Sequence, residues 1–250
     1  MDSINILDCR LDYLDPAQIE EIIKKTVKTK RKIRISNLNI YAANLAYENR
    51  WYQEYVNNSA VVHCDSKGIQ LAAIALGKRP PLQITYHTWG WRLFEFCDKN
   101  KLSIFFLGSD METLREAIQK VKSRFPNLKL GGHHGYFEKT GLENRKVINE
   151  INRFQPSILM VGFGMPLQEK WIKTNEKSIH ANVFCNGGAF LDWISGKRKT
   201  APSIVTKIGL EWFYRLLLEP KRLYRRYVFG IPQFFIRLIG SHYLGMKRKS

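Results

Sequence analysis

The sequence predicts an α/β fold: a Rossmann-like, mostly parallel sheet with helices on both faces, followed by a helical C-terminal appendage suited to membrane targeting. Three observations predict it. Six short apolar, β-rich runs recur along the chain, helix-patterned segments separate them, and the pattern changes after Trp193 into a basic, aromatic remainder. Alternating strand and helix signals are what a sheet built from βαβ units requires.

The six runs are KIRIS (32–36), AVVHC (60–64), LSIFFLG (102–108), LKLGG (128–132), SILMVG (157–162) and NVFCN (182–186). Their near-continuous apolarity fits strands covered on both faces. Among the helices, the one over 111–125 has Ser109 or Asp110 as its cap and Pro126 as its stop. Ligands of such sheets bind beyond the carboxyl ends of the strands. The residues to inspect are therefore 37–39, 65–68, 108–110, 131–136, 162–168 and 186–188. SGKRKTAPS, from Ser195, reads as a basic linker, and Pro220 and Pro232 are expected to break the helical remainder into pieces. The expected division is a core over 1–195 and an appendage over 196–250.

At 250 residues, 44% hydrophobic and 25% charged, the composition is globular and excludes disorder and a disulfide scaffold. Forty Lys and Arg against 22 Asp and Glu give a net charge of +18. Residues 197–250 hold 13 of those bases and two acids, Glu211 and Glu219, so the surplus is concentrated at the end of the chain. Such a surplus suits nucleic acid, an acidic membrane surface or phosphorylated substrates. No apolar run reaches the roughly 18 residues a membrane span needs; in the C-terminal region Tyr227 to Ile236 are ten uncharged residues between Arg226 and Arg237. Interleaved arginines and aromatics in that region favour an anionic lipid surface or a lipid-linked phosphate over a merely solvated face. Single-stranded RNA can also be bound by arginine and aromatics, but no RNA-binding motif is present. Four dispersed cysteines without a Cys-x-x-Cys pair, and an N-terminus without an apolar signal core, lead to the expectation of a reducing cytosol and no export.

Two sites carry candidate chemistry. In SILMVGFGMPLQEKW, Gly162 and Gly164 free a strand-to-helix turn so that backbone N–H groups can approach a phosphate at the helix N-terminus. The same pattern also fits a tight turn with nothing bound. Pro166 suits the first turn, and Gln168 and Glu169 can bond uracil or sugar hydroxyls, although a glutamate there also complements the helix dipole. Asp65, directly after AVVHC, reads either as a helix cap or as a general base within reach of a hydroxyl. His133 and His134 lack further metal ligands, and no Asp-x-Asp pair, Gly-x-Ser-x-Gly elbow or Walker-type loop occurs.

GFGMPLQEKW (162–171), NGGAFLDWISGKRKTAPS (186–203) and GLEWFYRLLLEPKRLYRRY (209–227) together resemble the WecG/TagA/CpsF glycosyltransferase family. The likeness extends through Asn39, Asp65-x-x-Gly68, FFLGS and FPNLKLGGHHGYF, covering roughly residues 33–228. The resemblance implies an inverting, metal-independent transfer of a sugar from a UDP-sugar to a polyprenyl-diphosphate-linked sugar, serving cell-wall, capsule or exopolysaccharide synthesis. Its setting would be peripheral, at the cytoplasmic face of a bacterial membrane.

Residue by residue, the resemblance puts Asp65 and Asn39 with catalysis, and Asn37, Gly108, Tyr136, Gly162, Gly164, Gln168, Glu169, Gly187 and Gly188 with the donor. Arg215, Arg222 and Arg225 fall with the acceptor's diphosphate. No metal ligand and no cofactor besides the donor UDP-sugar are expected, and no nucleic-acid partner; self-association is left open. Three departures stand out. The family's Pro-Asp-Gly-x-Gly is Cys64-Asp65-Ser66-Lys67-Gly68 here, its Thr-x-Asn is Asn37-Leu38-Asn39, and ITYHTWGW (84–91) stands where many members have an Arg-x-x-Gly-x-Asp type sequence. The last change bears on which sugar is taken. The contrasting reading is a non-catalytic nucleotide-sugar or nucleic-acid binding module with a basic tail.

Overall fold

The computed structural model describes residues 2–198 and 211–243. Six parallel strands form the central sheet: β3 (Ile33–Leu38), β4 (Val61–Cys64), β5 (Ile104–Gly108), β6 (Leu130–His133), β7 (Ile158–Gly162) and β8 (Val183–Asn186). Their spatial order is β4-β3-β8-β7-β5-β6. All six coincide with the apolar runs read from the sequence. A short antiparallel hairpin, β1 (Ser3–Ile6) and β2 (Cys9–Asp12), precedes them and has no counterpart in that reading.

The strands are buried on both faces because their side chains alternate into two separate cores. Leu38, Val62, Leu107, Leu159, Val161 and Phe184 enter one cluster; Ile35, Val61, Phe106, Ile158, Met160 and Cys185 enter the other. On the first face lie α2 (Ile40–Glu48), α3 (Arg50–Asn57), α4 (Lys67–Ala75), α7 (Gly141–Phe154) and α8 (Leu167–Asn175). The second is covered by α1 (Pro16–Lys28), α5 (Tyr86–Lys99), α6 (Met111–Arg124) and α9 (Phe190–Ser195). Asp110 caps α6, its carboxylate accepting from the Thr113 N–H at 2.8 Å.

The chain resumes in α10 (Glu211–Leu218), α11 (Pro220–Tyr224), a π-helical turn (Arg225–Phe229) and α12 (Gly230–Tyr243). Pro220 opens α11. Pro232 does not break the helix, contrary to expectation. It sits in the first turn of α12, directly after the π turn, where the altered bonding pattern absorbs the missing N–H.

Helix α12 packs on α2 rather than standing apart. Phe234 and Leu238 share the buried cluster of Ala42 and Ala46. Asn44 Nδ2 donates to the Gly230 carbonyl at 2.7 Å, and Arg237 bonds Asn44 Oδ1 at 3.0 Å and Glu48 Oε1 at 2.7 Å while lying over the Tyr47 ring. Arg237→Ala should lower the cost of opening this helix by about 1–2 kcal/mol. Limited proteolysis within 219–243 should then run roughly five- to thirtyfold faster than in the parent chain.

Candidate active site

The carboxyl ends of the strands open into a cleft of about 1660 Å³, roofed by residues of α10, the π turn and α12. At its floor stands Asp65. Its N–H donates to the Leu38 carbonyl at 2.9 Å, so the end of β4 is tied to the end of β3. Asn37 Nδ2 and Asn39 Nδ2 both donate to Asp65 Oδ2, at 3.0 and 3.2 Å. Asn39 has no choice of orientation, because its Oδ1 caps α2 by accepting from the Ala42 N–H at 3.0 Å, which turns the amide nitrogen toward Asp65.

The cap of α4 is Ser66, so Asp65 is not a capping residue here. Its carboxylate is directed to two amides instead. Asn37 Oδ1 and Ser66 Oγ, on either side of it, are buried without a partner among the described residues, although both residues line the cleft. Buried polar atoms of this kind call for a ligand or water, and a hydroxyl-rich ligand supplies the complement.

At the centre of the sheet, three strand ends pack backbone to backbone. A Cβ on Gly108 would lie 2.6 Å from the Gly162 carbonyl oxygen, and one on Gly162 would lie 2.7 Å from that of Gly188. Gly108 therefore serves close packing and does not line the cleft; its neighbour Ser109 does, donating from Oγ to Asp192 Oδ1 at 3.0 Å. Gly187 and Gly188 line the cleft, but their N–H groups are engaged, by the Val161 carbonyl at 2.7 Å and by Gln168 Oε1 at 3.0 Å. Gly162 and Gly164 line it too, and Gly164 has φ +83°. Among the described residues, the N–H groups of Phe163 and Gly164 have no partner. The peptide bond into Pro166 is cis, and Pro166 occupies the cap position before α8.

Gln168 and Glu169 part company. Gln168 reaches the cleft wall, with Oε1 on Gly188 and Nε2 donating to Glu169 Oε1 at 2.8 Å. Glu169, expected at the donor, is 0% exposed and lies behind Gln168 beside Tyr52 and Tyr55. One helical residue turns the side chain by about 100°, from cleft to core. Burial pushes its carboxyl up to about 7.

Cationic groups line the cleft where the sequence had not singled them out as site residues. Tyr136 is 76% exposed at the rim. Near it Lys139 Nζ donates to the Gly135 and Phe137 carbonyls at 2.6 and 2.8 Å, and lies 3.8 and 4.4 Å from the Phe137 and Phe163 ring centroids. Burial lowers its pKa from the ordinary lysine value. The contact with Phe163 sets this ammonium beside the 162–164 turn. Arg226 Nη2 stands 3.5 Å from Asn39 Oδ1, and its guanidinium lies over Tyr41. Arg198 pairs with Asp192 and Glu219. Of the three arginines expected at the acceptor, Arg225 is exposed and outside the cleft lining, while the side chains of Arg215 and Arg222 lie outside the described residues.

The departing segment borders the site directly. Gln83 is bridged to Cys64, one residue before Asp65, and Gln83, Thr85, Tyr86, His87 and Thr88 all line the cleft. Tyr86 and Trp89 stack behind it at 5.6 Å. Among the described residues, no group of three or more His, Cys, Asp or Glu converges as a metal site.

A carboxylate oriented by amides at the mouth of a parallel sheet, in one cleft with a glycine turn and cationic side chains, suits a group-transferring α/β enzyme. The comparisons name the group. Residues 4–248 match the model of the Glycosyl transferase WecG/TagA/CpsF family, and the chain belongs to that family. It is a glycosyltransferase. Similar proteins include N-acetylglucosaminyldiphosphoundecaprenol N-acetyl-beta-D-mannosaminyltransferases of Staphylococcus aureus strains NCTC 8325 / PS 47 and COL. Each is 30% identical over 241 residues, covering 94% of this chain and 91% of the relative.

The buried Glu169 has a measurable signature. A carboxyl whose folded pKa lies near 7, above its ordinary value near 4.5, favours the fold fully at low pH. That contribution fades as pH rises through 7, on the order of 3 kcal/mol in all. Denaturant unfolding of Glu169→Gln between pH 5 and 8 should lack this decline, which the parent chain shows.

Proposed function

We propose that this glycosyltransferase moves a sugar from a UDP-sugar to a polyprenyl-diphosphate-linked sugar, with inversion and without a metal, at the cytoplasmic face of a bacterial membrane. The observation that carries the reading is the Asp65 carboxylate, held by Asn37 and Asn39 on the floor of a cleft that also holds the 162–164 turn. Asp65 takes the proton of the acceptor hydroxyl as that oxygen bonds to the anomeric carbon. The bond from that carbon to the diphosphate breaks on the opposite face, and its electron pair leaves with UDP.

Charge on the departing diphosphate is met by the N–H groups of Phe163 and Gly164 and by the Lys139 ammonium, donors already in place before the reaction. Arg226, beside Asn39, meets the acceptor's diphosphate together with Arg215 and Arg222, since an arginine fork matches phosphate oxygens well; Arg225, exposed outside the cleft lining, faces the membrane surface instead. The Staphylococcus aureus relatives are named for transfer of N-acetylmannosamine to N-acetylglucosaminyl-diphosphoundecaprenol, and an acceptor of that kind suits this chain. The donor sugar is a separate matter, because ITYHTWGW (84–91) stands where many family members have an Arg-x-x-Gly-x-Asp type sequence, and its Thr85, Tyr86, His87 and Thr88 line the cleft.

Peripheral membrane attachment is supported by the surface of the C-terminal helices. Trp212, Phe213, Tyr224 and Phe229 are exposed next to Lys221 and Arg225. Among the described residues no helix is long and apolar enough to cross a membrane.

The reaction is tested with labelled UDP-hexoses and a prenyl-diphosphate sugar. An organic-extractable labelled product is expected, and its absence with every donor would return the chain to the binding-module reading. In that assay Asp65→Ala should lower kcat by a factor of about 100 to 10,000; near-normal turnover would remove Asp65 from proton transfer. The full chain should sediment with anionic but not neutral vesicles, and the paired change Lys221→Glu and Arg225→Glu should weaken that binding by roughly twentyfold or more.

A further inference from the structure

Beside the polar floor of Asn37, Asn39 and Asp65 the cleft has an apolar stretch of lining that begins at Ile40, the residue after Asn39. Beyond Ile40 the walls are Leu71 of α4 on one side and Ile231, Pro232 and Phe235 of α12 on the other. The floor between α2 and α4 is closed, since a Cβ on Gly68 would fall 2.3 Å from Ile40 Cδ1. The opposite wall is fixed, since α12 is bonded to α2 through Gly230 and Arg237. The result is a groove with rigid sides rather than a loose surface.

Leu71 is 55% exposed inside this cleft, and Ile74, three residues on and on the same helix face, is 54% exposed. An apolar face of that kind marks an interaction site when it continues into a functional cleft. At the junction stands Arg226, with one edge at Asn39 Oδ1 and its plane over Tyr41. Moving outward from Asp65, a ligand therefore meets a carboxylate and amides, then a guanidinium, then aliphatic and aromatic walls. A molecule with a hydroxyl-bearing sugar, an anionic linker and a long hydrocarbon tail matches that order.

We propose that the groove between α4 and α12 binds the first isoprene units of the acceptor's polyprenyl chain, with Leu71 of the core as one wall. The core thereby takes part in lipid recognition alongside the C-terminal helices. This inference rests on the glycosyl-transfer reading. It assigns the tail a path within the protein before it enters the bilayer.

The test compares two water-soluble acceptors with the same sugar diphosphate, one ending in a methyl group and one in three isoprene units. The parent chain should have a KM about tenfold lower for the isoprenyl acceptor. Leu71→Asp should abolish that preference, and Leu71→Met, which keeps the apolar wall, should retain it; donor KM should be the same for all three proteins. Equal KM values for the two acceptors in the parent chain, or a preference that survives in Leu71→Asp, would overturn the groove while leaving transfer intact. Loss of binding to acceptor-free anionic vesicles by Leu71→Asp, with the isoprenyl preference preserved, would make this face a bilayer contact instead. No transfer to either acceptor would overturn the glycosyl-transfer reading itself, and the groove with it.

Discussion

One amide holds the site together. Asn39 caps α2 through its oxygen and reaches Asp65 through its nitrogen, while Arg226 from the far end of the chain approaches the same oxygen. A capping bond of this type stabilises a helix by about 1 kcal/mol, yet here its larger consequence is directional. The helix fixes the amide, the amide fixes the carboxylate, and the C-terminal helices close over both. Folding and chemistry thus share a bond, and neither the orientation of Asp65 nor the polar end of the cleft is independent of how α2 begins.

The strand ends around this point follow from the same economy of space. Gly108 and Gly162 let three neighbouring backbones approach more closely than a Cβ at either position would allow, and the 162–164 turn lines the same cleft as Asp65. Lys139 is clamped between two phenyl rings and two carbonyls. An ammonium held in that way loses little freedom on meeting an anion, which is the property required of a group that stabilises charge only as it develops.

Much of this was legible in the chain. Buried parallel strands are continuous apolar runs, so all six central strands stand out; β1 and β2 do not, because polar residues interrupt them, Ser3 and Asn5 in β1 and Arg10 and Asp12 in β2. Asp65 was visible as a residue after a strand, but only the geometry separates a cap from an oriented carboxylate, because the cap passes to Ser66. Gln168 and Glu169 are neighbours in sequence and opposites in space, a distinction that depends on how α8 is rotated against the sheet. Lys139 lies outside every motif, and Arg226 sits in the 209–227 block with nothing there to set it apart from its neighbouring arginines. Their positions come from rings and amides contributed by distant segments, which single-chain patterning does not encode.

The widened turn at Arg225–Phe229 has a consequence for how such a chain can change. A π segment holds one residue more than the α-helical path would need, and each residue of an α-helix turns the following ones by about 100°. Excising a single position there would return the segment to the α path with the flanking helices still aligned, but would change which way the residues of the turn itself face, Arg226 at Asn39 among them. The helix could tolerate the loss; the contact between lid and floor could not, so the surplus residue of this turn sets which side chain meets the entrance.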